Sequence, residues 1–202
     1  MNKTLFDRGN PKETKHLVWK TVSREPSFTC PIFSLENVVR ESSDGRKGTF
    51  VSVHSPEWVV VLPWFRDEEG VARFIIEQQY RHGSDSVTRE FPAGLVEEGE
   101  KAELAASREL KEETGAVAKK LTLLGNVSPN SAFMDNRQNF YLAEGLELVS
   151  GQSLDPNEQI DVLSVPVQEV IENMGYGLYD NGIMMMALGF FLRLTKERKD
   201  LL

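Results

Sequence analysis

Two short stretches, GLVEEGE at residues 94–100 and RELKEETGA at residues 108–116, constrain this chain more than any other part of it. The run from Gly99 to Gly115 opens on acids, which suit the positive end of a helix, and closes on a glycine able to take the left-handed conformation that ends one. A helix is therefore expected here. On that helix Glu109, Glu112 and Glu113 are related by three and four residues, so their carboxylates leave one face with β-carbons about 5–6 Å apart. Like charges so placed destabilise a helix by roughly 0.2–0.5 kcal/mol per pair. One resolution is a solvated face on which Lys101, Arg108 and Lys111 partly neutralise the acids. The other is a hard divalent cation, since Mg²⁺ prefers oxygen ligands and retains several waters.

The flanking pattern predicts what carries this helix. WVVVLPWF and ARFIIEQQY read as buried strands joined by the polar turn RDEEGV. Beyond the helix, LTLLGNV and NFYLAEGLELV read as strands, while VPVQEVIENM and GIMMMALGFFLRLTKER read as helices. The methionine and phenylalanine run at 184–191 is too short for a membrane span and ends in charge, which marks it as core. Before the turn-like HSPE stretch, LVWKTV, FTCPIFSL and GTFVSV form a set of short strand candidates. The expected division is thus a small β unit over residues 1–54, which would be marginal alone, and a main domain over 55–202.

Composition narrows the function classes. A net charge of −8 over 202 residues argues against a nucleic-acid partner, whose phosphates are bound by clustered Lys and Arg. Cys30 is the single cysteine, so no internal disulfide is available. The amino-terminal MNKTLFDRGNPKETKH lacks an apolar leader core, and a soluble, cytoplasmic protein that does not engage membranes is the expectation. His16, His54 and His82 are scattered without metal-ligand spacing.

The spacing Gly94, five residues, Glu100, seven residues, then Arg108-Glu109-apolar-x-Glu112-Glu113-x-Gly115 closely resembles the signature box of the Nudix hydrolases. Ala116 departs from it, standing where a larger aliphatic residue is usual. The resemblance implies an α+β fold, an α/β/α sandwich with a mixed sheet, here preceded by the small antiparallel β unit. It implies Mg²⁺, with Mn²⁺ as an alternative, held by Glu109, Glu112 and Glu113, with Arg108 orienting the carboxylates and Glu100 assisting through water. EFPAG (Glu90 to Gly94) and EQQYR (Glu77 to Arg81) resemble the ADP-ribose pyrophosphatase branch, which implies a metal contact from the Ala93 carbonyl and a phosphate contact from Arg81, with Glu90 and Pro129 as further substrate-site positions. NSAFMDNR then departs from the branch, where a glycine-containing turn is frequent. By the same resemblance Glu158 is the candidate general base, and the small β unit is expected to build a homodimer. An aromatic sandwich around adenine is expected on physical grounds, with Trp19 and Phe28 as candidates. The implied reaction is hydrolysis of a nucleoside diphosphate derivative, ADP-ribose first, to AMP and ribose 5-phosphate. A GDP-sugar or a dinucleoside polyphosphate is the alternative substrate, and a non-catalytic nucleotide sensor the alternative role.

Overall fold

The computed structural model describes residues 12–202 and divides into two compact units. The leader reading above falls largely on residues 1–11, outside the described part. The first unit contains the described residues up to Glu57 together with Asn126–Arg137. Its core is an antiparallel sheet of β1 (Trp19–Thr29), β2 (Ser34–Ser42) and β3 (Lys47–His54), in that order.

Sequence reading divided this sheet differently. FTCPIFSL was expected as one strand, but β1 runs on to Thr29 and the chain turns at Cys30, whose N–H donates to the Phe33 carbonyl at 3.0 Å. The cause is Pro26. A proline reads as a strand breaker, yet β1 is an edge strand and can lack an N–H there, with the register shifting between Pro26 and Phe28. The return segment Asn126–Arg137 adds to β3 through backbone bonds between Val53 and both Phe133 and Asp135. Asp135 also accepts from Arg24 at 3.0 Å and pairs with His54 at 3.1 Å.

The second unit comprises Trp58–Gly125 and Gln138–Leu202. The expected hairpin is present as β4 (Trp58–Arg66) and β5 (Ala72–Arg81). Three short strands were not anticipated: β6 (Ser86–Glu90), β7 (Ala93–Leu95) and β10 (Ile160–Pro166). With β8 (Ala116–Val127) and β9 (Gln138–Leu148) they complete a sheet ordered β10-β5-β4-β9-β8, with β6 on β5 and β7 on β4. The sheet is mixed, because the first half of β4 runs parallel to β9 while β5, β7 and β10 pair antiparallel.

Helices cover both faces, which is why β4 reads as an uninterrupted apolar run. Val59, Val61, Ile75, Tyr141 and Ala143 pack against Ala105, Ala106 and Leu110 of α1 (Ala102–Thr114). The alternate positions serve the opposite face, where Phe191 and Phe190 of α3 (Gly182–Leu194) meet Phe74 and Phe140 edge-on or tilted. A shorter α2 (Val167–Asn173) lies between β10 and α3 in sequence. The result is the expected α+β sandwich. Gly115 ends α1 in the left-handed region at φ 72°, and a β-carbon there would fall 2.2 Å from the Ser150 carbonyl oxygen. Among the described residues no helix is long and apolar enough to cross a membrane.

Candidate active site

The strand β7 and the loop after it bring Glu100 back against the middle of α1, and Arg108 ties these pieces together. Its Nε and Nη2 donate to the two oxygens of Glu100 at 3.1 and 3.0 Å, and Nη2 also donates to the Leu95 carbonyl at 3.0 Å. Its Nη1 donates to Glu109 at 2.7 Å and to Glu112 at 3.1 Å. Those carboxylates, Glu100 first, hold Arg108 firmly in its charged form, and Arg108 in turn keeps Glu100 below the usual carboxylate range. One arginine thus gathers three acids by charge-assisted bonds. Gly94 sits so close that a β-carbon there would lie 2.0 Å from the Glu109 carboxylate. Only a glycine leaves room for that side chain.

Glu113 turns inward from the same helix and accepts the Ala93 N–H at 2.9 Å. Opposite it is Glu77 on β5, fully buried, with neither oxygen given a partner of good hydrogen-bond geometry. Burial pushes the proton affinity of both carboxylates up, and for Glu113 the charges of Glu77 and Glu109 add to it. Burial also raises Glu109, against the opposing pull of Arg108. Such mutual repulsion is relieved by a shared proton or by a cation.

The donors suit a hard ion. They are all oxygens, and Glu77 is a buried carboxylate otherwise unsatisfied. Among the described residues no three acids are already drawn into a metal-holding group, because Glu109 and Glu112 are turned onto Arg108.

Arg81, ending β5, makes a two-pronged pair with Glu90, Nε to Oε1 and Nη2 to Oε2, each 2.8 Å. This fork uses two of five N–H groups, and among the described residues Nη1 has no hydrogen-bond partner. Glu90 also accepts from the Thr88 hydroxyl. Glu158 lies on the loop before β10, exposed, accepting the Asp155 N–H at 3.0 Å. It borders a groove with Gln79, Tyr80 and Gln159, and its charge raises both Glu77 and Glu109.

A family model, NUDIX domain, matches residues 56–180, which span this whole arrangement. The chain belongs to the Nudix family. It is 32% identical to the ADP-ribose pyrophosphatase of Bacillus subtilis (strain 168), over 78% of this chain and 84% of that protein. It is 27% identical to the methanol dehydrogenase activator of Bacillus methanolicus, over 76% of this chain and 81% of that protein. Among solved structures, an ADP compounds hydrolase superposes with a TM-score of 0.76 at 24% identity, over 89% of this chain and 95% of that one, a likeness of fold. These relatives carry names for different roles.

Trp19, Phe28 and Pro129 all belong to the first unit. Trp19 meets Phe50 edge-on at 5.5 Å, and the Arg46 guanidinium lies 5.7 Å from its ring. Phe28 tilts against Phe33 at 6.3 Å. Nine positions apart on one strand, the two rings are on the order of 30 Å from each other, so they are not two walls of one slot within a chain. Pro129 is half-buried at a bend.

Glu77 is the member that sequence reading passed over. Its signal was present, since it directly follows the buried run Phe74–Ile76 and shares the phase of Ile75, which packs with α1.

Proposed function

We propose that this Nudix hydrolase cleaves the pyrophosphate of ADP-ribose, giving AMP and ribose 5-phosphate, with Mg²⁺ as its ion and Mn²⁺ able to replace it. The observation that carries this reading is the convergence of Glu109, Glu112 and Glu113 of α1 with Glu77 of β5 around Arg108 and the Ala93 backbone. An intact set of acids of this kind argues against a sensor that has lost catalysis.

Glu109, Glu112, Glu113 and the Ala93 carbonyl are the groups that would hold the cation. When bound, it would offset charge on the phosphate oxygens and make a water more acidic. The remaining work falls to the chain. Arg108 keeps Glu109 and Glu112 on one side of α1, and Gly94 keeps space for the former. Arg81 presents its open edge to a phosphate oxygen. Glu158 accepts a proton from the attacking water, the oxygen of which bonds to phosphorus as the bridging oxygen leaves with the other phosphate. Glu90 orients Arg81 rather than touching substrate. We further propose a homodimer built by the first unit and residence in the cytoplasm, supported by the lone cysteine and the exposed apolar residues of that unit.

A panel of ADP-ribose, GDP-mannose and diadenosine polyphosphates, incubated with and without Mg²⁺ and resolved by chromatography, tests the substrate. AMP and ribose 5-phosphate released fastest from ADP-ribose, and only with the ion, is the expected result. Faster cleavage of GDP-mannose would move the assignment to GDP-sugars.

A further inference from the structure

The loop of residues 149–159, between β9 and β10, carries Glu158 and is bonded to the end of α1. The last carbonyls of a helix have no partner within it, and this loop supplies donors for them. The Ser153 N–H donates to the Glu112 carbonyl at 2.8 Å, and the N–H groups of Val149 and Ser150 donate to the Gly115 carbonyl at 3.0 and 3.3 Å. Between these bonds the Gln152 side chain donates from Nε2 to the Glu113 carbonyl at 2.8 Å and to the Ile160 carbonyl at 3.1 Å. A carboxamide nitrogen carries two hydrogens, one for each of these oxygens.

The two acceptors belong to different elements. Glu113 is the acid of α1 that accepts the Ala93 N–H, while Ile160 opens β10 two residues after Glu158 and pairs with Gln79 of β5. Within the span that Gln152 closes, Glu158 is folded onto Asp155, donating its N–H to that carbonyl at 2.9 Å and accepting the Asp155 N–H on Oε2 at 3.0 Å. The loop is thus fastened to the acid-bearing helix on one side and to the sheet on the other, with one side chain reaching both. We infer that Gln152 is a positioning residue for the general base, holding the loop so that Glu158 keeps a fixed reach from the acids of α1. The inference rests on the proposed role of Glu158. Its physical basis is that a misplacement of about 1 Å in a reacting group costs on the order of a hundredfold in rate. Gln152 is exposed, so water replaces part of what it supplies and the expected loss is smaller.

Gln152→Met keeps the length of the side chain and removes its donor. With ADP-ribose and Mg²⁺, this variant is expected to lower kcat about tenfold with KM within about twofold. In a chelator, the backbone amides of residues 153–159 are expected to exchange with deuterium about tenfold faster than in the parent, the size of one or two lost hydrogen bonds. The same Gln152→Met change in a Glu158→Gln background should lower kcat by less than about twofold, because its effect passes through Glu158. If Gln152→Met does not fold, Gln152→Glu, which sets an acceptor before both carbonyls, takes its place.

An equal loss of kcat from Gln152→Met in both backgrounds, no loss in the parent background, or unchanged exchange of the loop overturns the inference while leaving Glu158 as the base. Turnover within a few-fold of normal in Glu158→Gln itself removes the base reading and the inference with it.

Discussion

Glu77 and Glu113 are two buried carboxylates whose surroundings oppose their ionisation. Both have their proton affinity raised by burial, and Glu113 by the charge of Glu77 as well, so between the ordinary carboxylate range and their raised values the folded chain binds more protons than the unfolded one. Stability is then fully present at low pH and is lost as pH rises through the folded values. In a chelator, melting temperature is expected to fall from about pH 5 to about pH 9, and Mg²⁺ should restore it most at the alkaline end, since binding displaces the proton. Glu77→Gln should make that slope shallower and weaken the Mg²⁺ effect; a slope as steep as in the parent would show that the pair is not the source. Glu158 makes a different prediction. As a general base its replacement by Gln should lower kcat about a hundredfold at unchanged KM, whereas turnover within a few-fold of normal would exclude the role.

At the level of elements, the strand β7 and helix α1 work as one device. Gly94 lets the strand approach the helix closely enough that Glu109 lies where any β-carbon would be. Gly94→Ala should therefore push the Glu109 carboxylate away, and kcat/KM is expected to fall on the order of a hundredfold. Melting temperature should move by only a few degrees, because the group that yields is the end of a flexible side chain and not the sheet. A loss of stability large enough to unfold the chain would instead mean that β7 itself cannot adjust. The boundaries of α1 were legible in the sequence, through the opening acids and Gly115, because capping is local chemistry. The strands β6, β7 and β10 were not, since such short segments take their conformation from partners on β5 and β4 that are remote in sequence. Nor was the length of β1, because whether Pro26 breaks a strand depends on its being at an edge.

For the whole molecule, the first unit leaves Val22, Phe28, Ile32, Phe50 and Val51 exposed, and a unit so small is marginal by itself. Small-angle scattering is expected to return twice the mass of one chain, and disappearance of that species on Phe28→Ser with Val51→Ser would place the interface on this sheet; a monomer at working concentration would reject it. Local chemistry alone determined the acid-bearing helix, its glycine cap, the central hairpin and membership of the Nudix family, because spacing along a helix dictates which carboxylates share a face whatever surrounds them. Only tertiary structure decided that Glu77 lies by Glu113 and that Glu90 pairs with Arg81, because each of these depends on which elements lie side by side. Burial, and not sequence position, gave Glu77 of β5 its raised proton affinity.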